Sequence, residues 1–355
     1  MKVGILTFHN AYNYGAVLQT FATQEIVKSR GHDVEIINYH NQKVDRYYIK
    51  KIPRRKFYRI PLALIGKYFF NKRKEAYERF IDKYLHITKE VLRSAEDVTL
   101  DKYDVVLIGS DQLWNKKMTG GWDKMYWGDF TTSPGTRKVA WSVCMNYTDL
   151  NEDDILFIKR HLENFDLISV RESDLLSFIS TLTSKKVYQT LDPTLVLPSA
   201  RWEEVCHDVK ERAYIAVYAV QDEGKSIAFA RSIASKQNKK LVIIRSYSKW
   251  NLSSENKEYA GPDDFLSYIR HADMVVTTSF HGAVFSIIYQ KQFVCPIFRD
   301  NVRVESLLES LHISERRVNS ISEYDSLQPI DYTRVKKDLN TLRDGTLNIW
   351  DTIIY

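Results

Sequence analysis

The sequence predicts an α/β protein made of two Rossmann-like, doubly wound domains facing each other across a cleft. Three observations predict it. Short apolar runs of strand length alternate with segments of helical spacing. The alternation breaks near residues 197–212 and then restarts. At 355 residues the chain is long enough for two domains of ~100–200 residues each. Successive βαβ units imply parallel strands, with ligands outside the carboxyl ends of those strands.

The elements follow in order. Lys2–Phe8 is an apolar run suited to a buried parallel strand. Asn10–Gly15 is rich in turn residues. Ala16–Ser29 carries Val17, Leu18, Phe21, Ile26 and Val27 at helical spacing, and Gly31 stops it. Val34–Asn38 is a second strand. After an insertion, Asp104–Ile108 and Lys138–Val143 are strands, Glu152–Glu163 a helix, Asp166–Val170 a strand, Ser173–Thr181 a helix and Lys186–Gln189 a strand. Past the break come strand Ala213–Val220, helix Gly224–Ser235, strand Lys240–Arg245 and helix Pro262–His271. Strand Met274–Thr277, helix His281–Tyr289 and strand Phe293–Ile297 complete the series. The domains are therefore 1–197, with a basic helical insertion at 43–95, and 198–330. A helical tail, 331–355, can cross back to the N-terminal domain.

With 44% hydrophobic and 27% charged residues the chain is neither disordered, collagen-like nor a coiled coil. No apolar run reaches the ~18 residues a membrane span needs. The start, MKVGILTFHNAYNYG, is too short in its apolar part for a signal peptide. Cys144, Cys206 and Cys295 lie far apart, which reads as buried thiols in a cytoplasmic protein with no zinc site.

The net charge of +6 is local in origin. Between Lys43 and Arg79 stand thirteen Lys/Arg against three Asp/Glu; the remainder has 38 against 42. A surface devoted to nucleic acid would not look like this. Tyr47, Tyr48, Phe57, Tyr58, Tyr68, Phe69 and Phe70 interleave the basic residues. The mixture suits a solvated helical insertion, peripheral contact with an anionic membrane surface through 43–79, or an edge guiding a polyanionic substrate. Arg54, Arg55 and Lys56 are the residues on which membrane contact would turn.

Five loops follow predicted strands. Phe8–Gly15 contains Asn13, Tyr14 and Gly15 ahead of a helix whose N–H groups suit an anion or a sugar hydroxyl. It has no GxGxxG, so a nicotinamide cofactor is not expected. Gly109–Asn115 offers Asp111 and Trp114, a polar and aromatic pair suited to a sugar, although Asp111 equally suits a helix N-cap. Arg171 ends a strand, where its fork suits a phosphate or carboxylate, or a salt bridge to a neighbouring acid. Ser279, Phe280, His281 and Gly282 follow a strand ending in threonines. His281 there suits a general acid or a structural histidine, and Gly282 permits close approach of a ligand. Arg303 starts a helix, against the dipole, which hints at an anion nearby. No P-loop, DxD, HExxH, GxSxG or Cys–His nucleophile pattern occurs, so no metal is expected.

At these loops the chain resembles the polysaccharide pyruvyl transferase family. The resemblance rests on GILTFHNAYNYGAVLQTFA, IGSDQLWN, SVRES, LDPTLVL, GPDDFLSYIRHADMVVTTSFHGAVFSII and NVRVESLLESL, in that order. It implies a GT-B-like architecture and transfer of the enolpyruvyl unit of phosphoenolpyruvate to a sugar as a ketal, with release of phosphate. It implies no cofactor beyond phosphoenolpyruvate as co-substrate. It makes His281 the general acid and Arg171 a catalytic, phosphoenolpyruvate-binding arginine. Ser279, Phe280, Gly282 and Arg303 complete the donor site, with Asn13, Tyr14, Gly15, Asp111 and Trp114 at the acceptor. Ser279 stands where some members carry arginine, leaving Arg303 to supply that charge. The expected acceptor is a saccharide, lipid-linked or not, of a capsule or exopolysaccharide precursor. Two other readings are a glycosyltransferase using a nucleotide sugar and a non-catalytic subunit of a polysaccharide assembly complex.

Overall fold

The computed structural model describes residues 1–48, 60–96, 98–245 and 253–354. Arg54, Arg55 and Lys56 lie outside the described residues. The chain divides into two compact units. One comprises Met1–Lys50, Ile81–Leu197 and Thr341–Tyr355, the other Lys51–Phe80 and Pro198–Asn340.

The first unit holds β1 (Lys2–Leu6), α1 (Tyr14–Ser29), β2 (Asp33–Ile36) and α2 (Gln42–Tyr48). After α3 (Ile60–Tyr84) come β3 (Val105–Asp111), α4 (Lys116–Thr119), β4 (Arg137–Val143), α5 (Glu152–Leu162), β5 (Leu167–Val170), α6 (Ser173–Ser180), β6 (Val187–Gln189) and α7 (Pro193–Val196). The six strands form one parallel sheet in the order β2-β1-β3-β4-β5-β6. β1 and β3 are nearly continuous apolar runs because both faces of a central parallel strand are covered. The winding direction reverses between β1 and β3, and that switch point is where such a sheet opens a crevice at its carboxyl edge.

The second unit holds α8 (Ser199–Glu203), β7 (Tyr214–Tyr218), α9 (Glu223–Gln237), β8 (Lys240–Ile244), β9 (Asn256–Lys257), α10 (Pro262–His271) and β10 (Met274–Thr277). It continues through α11 (Phe280–Ile288), β11 (Gln292–Pro296), α12 (Val302–Ser310), β12 (Arg317–Val318), α13 (Ile321–Ser326) and the start of α14 (Tyr332–Ile354). Its parallel sheet runs β12-β11-β10-β7-β8-β9, and the winding reverses between β7 and β10. α11 is apolar all round, as a helix enclosed by its unit must be, and every residue after Phe280 is buried. Each unit is thus a doubly wound α/β sheet, the fold class expected from the sequence.

Residues 51–80, read from the sequence as part of an N-terminal insertion, group with the second unit. Side chains on α3 explain this. Arg73 donates from Nη1 to the Arg245 carbonyl at 2.5 Å, and Phe69 stacks parallel to Tyr259 at 6.4 Å between centroids. At its far end α14 contributes to the first unit. Trp350 meets Trp141 edge-on at 5.0 Å, Asp351 pairs with Arg30, and the Leu191 N–H donates to the Thr346 hydroxyl at 3.0 Å.

No helix among the described residues is long and apolar enough to cross a membrane. Cys144 and Cys295 are buried thiols, while Cys206 is partly exposed and lies 3.1 Å from the Tyr289 hydroxyl.

Candidate functional site

In the first unit the switch point is flanked by the loop after β1 and the end of β3. Asn13 is the N-cap of α1, its side-chain oxygen accepting from the Ala16 N–H at 3.1 Å. Tyr14 and Gly15 are buried as the first residues of that helix. Trp114 is buried in the core, stacked on Trp127 at 4.3 Å, with its indole N–H donating to the Tyr126 carbonyl at 2.9 Å. Of the expected acceptor residues, then, Asn13, Tyr14, Gly15 and Trp114 serve the helix start and the core. The reason is common to all four: the turn after a parallel strand must be capped and packed before it can serve a ligand. Asp111 differs. It is half-buried, and Asn115, not Asp111, caps the following helix.

Arg171 lies in the frame of its sheet. Its guanidinium is buried and turned into the sheet edge, where Nη1 pairs with Asp192 Oδ2 at 2.6 Å. Nε donates to the Ser110 hydroxyl at 2.9 Å and to the Ser142 carbonyl at 3.0 Å. Burial opposes the charge, but Asp192 outweighs it and holds the guanidinium above its usual pKa. The arginine expected to grip a donor ties the ends of β3, β4 and β5 to the cap of α7. Asp192 Oδ1 accepts there from the Thr194 N–H at 2.8 Å.

The first unit holds a second polar cluster. His9 Nε2 and His40 Nε2 both face Asn38 Oδ1, at 3.1 and 3.0 Å. Asn10 Nδ2 donates to Asp45 Oδ1 at 2.9 Å, and His40 Nδ1 lies 3.0 Å from Asp45 Oδ2. Burial lowers the pKa of His9 to about 4, the nearby His40 adding to the effect. His9 lies in the FHN stretch and Asp192 in LDPT, so the motifs contained both. Nothing in residue type marked either as part of a network.

In the second unit the switch point is flanked by the loops after β7 and β10. Ser279 caps α11, its hydroxyl accepting from the Gly282 N–H at 3.4 Å. Serine can do this and arginine, which has no acceptor, cannot. Gly282 packs against Thr277: a Cβ there would lie 2.1 Å from Thr277 Oγ1. That hydroxyl is itself fixed, donating to the Tyr218 carbonyl at 2.6 Å and accepting from the Ser279 N–H at 3.0 Å. His281 is buried in the first turn of α11, with the half-buried Phe280 ring edge-on at 5.1 Å. Asn301 clamps the same edge by donating to the Thr278 carbonyl at 2.9 Å. Arg303, half-buried on α12, makes no ion pair among the described residues. Beside it a recess is lined by Gln221, Thr278, Arg299, Asn301 and Arg317. No group of three or more His, Cys, Asp or Glu able to hold a metal ion occurs among the described residues.

Two parallel, doubly wound sheets, each with polar side chains grouped at the carboxyl ends of its switch-point strands, define a two-unit α/β ligand-binding protein. The chain belongs to the polysaccharide pyruvyl transferase family, whose model matches residues 13–295. Among curated proteins none matches it. Its fold is similar to UDP-GlcNAc 2-epimerase from Methanocaldococcus jannaschii, at 13% identity and TM-score 0.46 over the whole of both chains. An alpha-glucosyltransferase in complex with UDP is similar at 11% identity and TM-score 0.49, over 98% of this chain and 94% of that one. SsfS6, a Streptomyces sp. SF2575 glycosyltransferase, is similar at 12% identity and TM-score 0.40, over 98% and 96%. Likenesses this distant bear no argument about chemistry.

Proposed function

We propose that this transferase moves the pyruvyl unit of phosphoenolpyruvate onto a saccharide as a ketal, releasing phosphate. What supports this reading is the family membership together with the position of His281, a buried imidazole in the first turn of α11 at the switch point of its sheet. In the proposed reaction His281 protonates the methylene carbon of phosphoenolpyruvate. C2 becomes oxocarbenium-like, a sugar hydroxyl adds to it, and a second hydroxyl closes the ring as phosphate leaves. The α11 N-terminus favours an anion, and Arg303 on the neighbouring helix α12 supplies positive charge for phosphate or carboxylate. Ser279, Phe280 and Gly282 shape that helix start. Arg171 supports its own sheet edge.

The acceptor belongs to a polysaccharide precursor, and contact of 43–79 with an anionic lipid surface would bring a lipid-linked one within reach. Exposed Lys67, Tyr68, Lys72 and Lys74 on α3 support that part.

The test is phosphate release from phosphoenolpyruvate across a panel of lipid-linked and nucleotide-linked saccharides. Release that depends on the added acceptor is expected. Turnover of a nucleotide sugar in its place, or no release with any acceptor, would overturn the reading.

A further inference from the structure

A groove of about 530 Å³ lies in the second unit, between α3, α10, the edge strand β9 and residues 207–211 ahead of β7. None of its lining residues belongs to the loops after β7 and β10. Its volume is that of a small-molecule site. One wall is aromatic. Tyr259 is 54% exposed, and the buried Phe69 ring lies parallel to it at 6.4 Å between centroids. Tyr268 is half-buried, with Lys257 Nζ over its ring at 5.4 Å. Tyr259 thus presents the open aromatic surface of the groove. The rest of the lining is polar, and its charges balance: Lys210 and Lys257 stand against Asp208 and Glu211. Lys257 pairs with Glu211, His207 Nε2 lies 3.0 Å from Asp264 Oδ1, and Asp208 Oδ1 lies 3.5 Å from His271 Nε2. The groove therefore offers donors and acceptors beside a flat apolar face. A nucleic acid or an anionic lipid surface calls for an excess of cations, which this lining does not have. A peptide adding to the sheet edge would find two residues of β9 to pair with, too few for a strand. A sugar ring suits both parts of the surface: its C–H face lies on an aromatic ring, while its hydroxyls donate and accept. The family to which the chain belongs acts on polysaccharide.

We propose that this groove is a binding site for a neutral saccharide chain. One sugar ring stacks on Tyr259, and Lys257, Glu211 and His207 exchange hydrogen bonds with its hydroxyls. The site lies wholly within the second unit. It goes beyond the transfer reading, since it holds saccharide whether or not phosphoenolpyruvate is the donor. Stacking tolerates different sugars, because each offers a C–H face, so the ring sets the affinity.

The experiment is affinity electrophoresis of the whole chain in native gels containing dextran, galactomannan or glucomannan, at low and high salt, with dextran sulfate as the anionic counterpart. At least one neutral polymer is expected to retard the wild type, equally at both salt levels. Tyr259→Ala should bind that polymer at least about tenfold more weakly, the loss typical of truncating a central aromatic contact. Tyr259→Phe, which keeps the ring, should bind as the wild type does. No retardation by any neutral polymer would overturn the proposal. So would equal retardation of wild type and Tyr259→Ala, which would place the saccharide elsewhere. Retardation by dextran sulfate alone, or retardation lost at high salt, would overturn it too, marking a charged surface. Should Tyr259→Ala shift the urea midpoint, Tyr259→Leu, which keeps bulk beside Phe69 without a flat face, carries the comparison. The gels contain no phosphoenolpyruvate, so a failure of phosphate release would sink the transfer reading and leave this result standing.

Discussion

Arg171 Nη1 lies 2.6 Å from Asp192 Oδ2, and both side chains are almost wholly withdrawn from solvent. The pair joins the end of β5 to the cap of α7 and, through Ser110, to the end of β3. Truncating one partner strands the other charge in the sheet edge. Arg171→Ala is expected to lower stability by about 3–5 kcal/mol. Arg171→Lys should recover only part of it, because an ammonium cannot serve Asp192, Ser110 and Ser142 in one plane. Urea unfolding at neutral pH measures this. A midpoint unmoved in Arg171→Ala would show that the guanidinium is not structural.

His281→Ala is expected to lose about 10²–10⁴-fold in turnover while phosphoenolpyruvate affinity changes little, since removing a general acid withdraws transition-state help and not ground-state binding. Phosphate release and calorimetric donor binding, taken together, measure it. Near-full turnover in this variant would remove the histidine from the chemistry.

Gly282→Ala tests the start of α11. The added methyl would fall 2.1 Å from Thr277 Oγ1, which is tied to the Tyr218 carbonyl. The helix start must move, at a cost of about 1–3 kcal/mol. Because His281 is the next residue back, turnover should fall as well. Thermal or urea denaturation alongside the phosphate assay separates the two losses; a variant equal to wild type in both would contradict the geometry.

His9 sets a pH dependence. Its pKa is lowered to about 4 in the folded chain, from 6.5 when solvated. Between those values the unfolded chain binds the proton and the folded chain does not. Stability therefore rises with pH from about 4 to 6.5 and falls on acidification through that window. This one residue contributes up to about 3 kcal/mol. His9→Gln should flatten that part of the urea-midpoint profile relative to wild type. Parallel profiles for the two would count against the buried neutral histidine.

Much of the fold could be read from residue order. β1, β3, β7 and β10 stand out as short apolar runs because central parallel strands are covered on both faces. α10 announces itself by Pro262 at its first position and Asp264 three residues past Gly261, whose N–H donates to that carboxylate at 2.8 Å. β9 and β12, two residues each, gave no such pattern, since strands that short have no periodicity to show. α3 was legible as helical and basic, but its attachment to the second unit depended on Arg73 and Phe69 meeting Arg245 and Tyr259, residues far along the chain.

The candidate site divides in the same way. Residue type and position after a strand singled out Asp111, Arg171, Ser279 and His281. They could not say which side chains packed into the frame. Trp114 and Tyr14 turned inward to fill the core, and Arg171 turned inward to meet Asp192.

By itself the chain order determined two βαβ series, the loops that carry polar groups, and the family to which they belong. Only the folded sheets decided the switch points, between β1 and β3 and between β7 and β10, and with them which loop ends lie side by side. The physical reason is that periodicity and capping act over a few residues, whereas strand order and the partner of a buried charge come from contacts between segments tens to hundreds of residues apart, which no local pattern encodes.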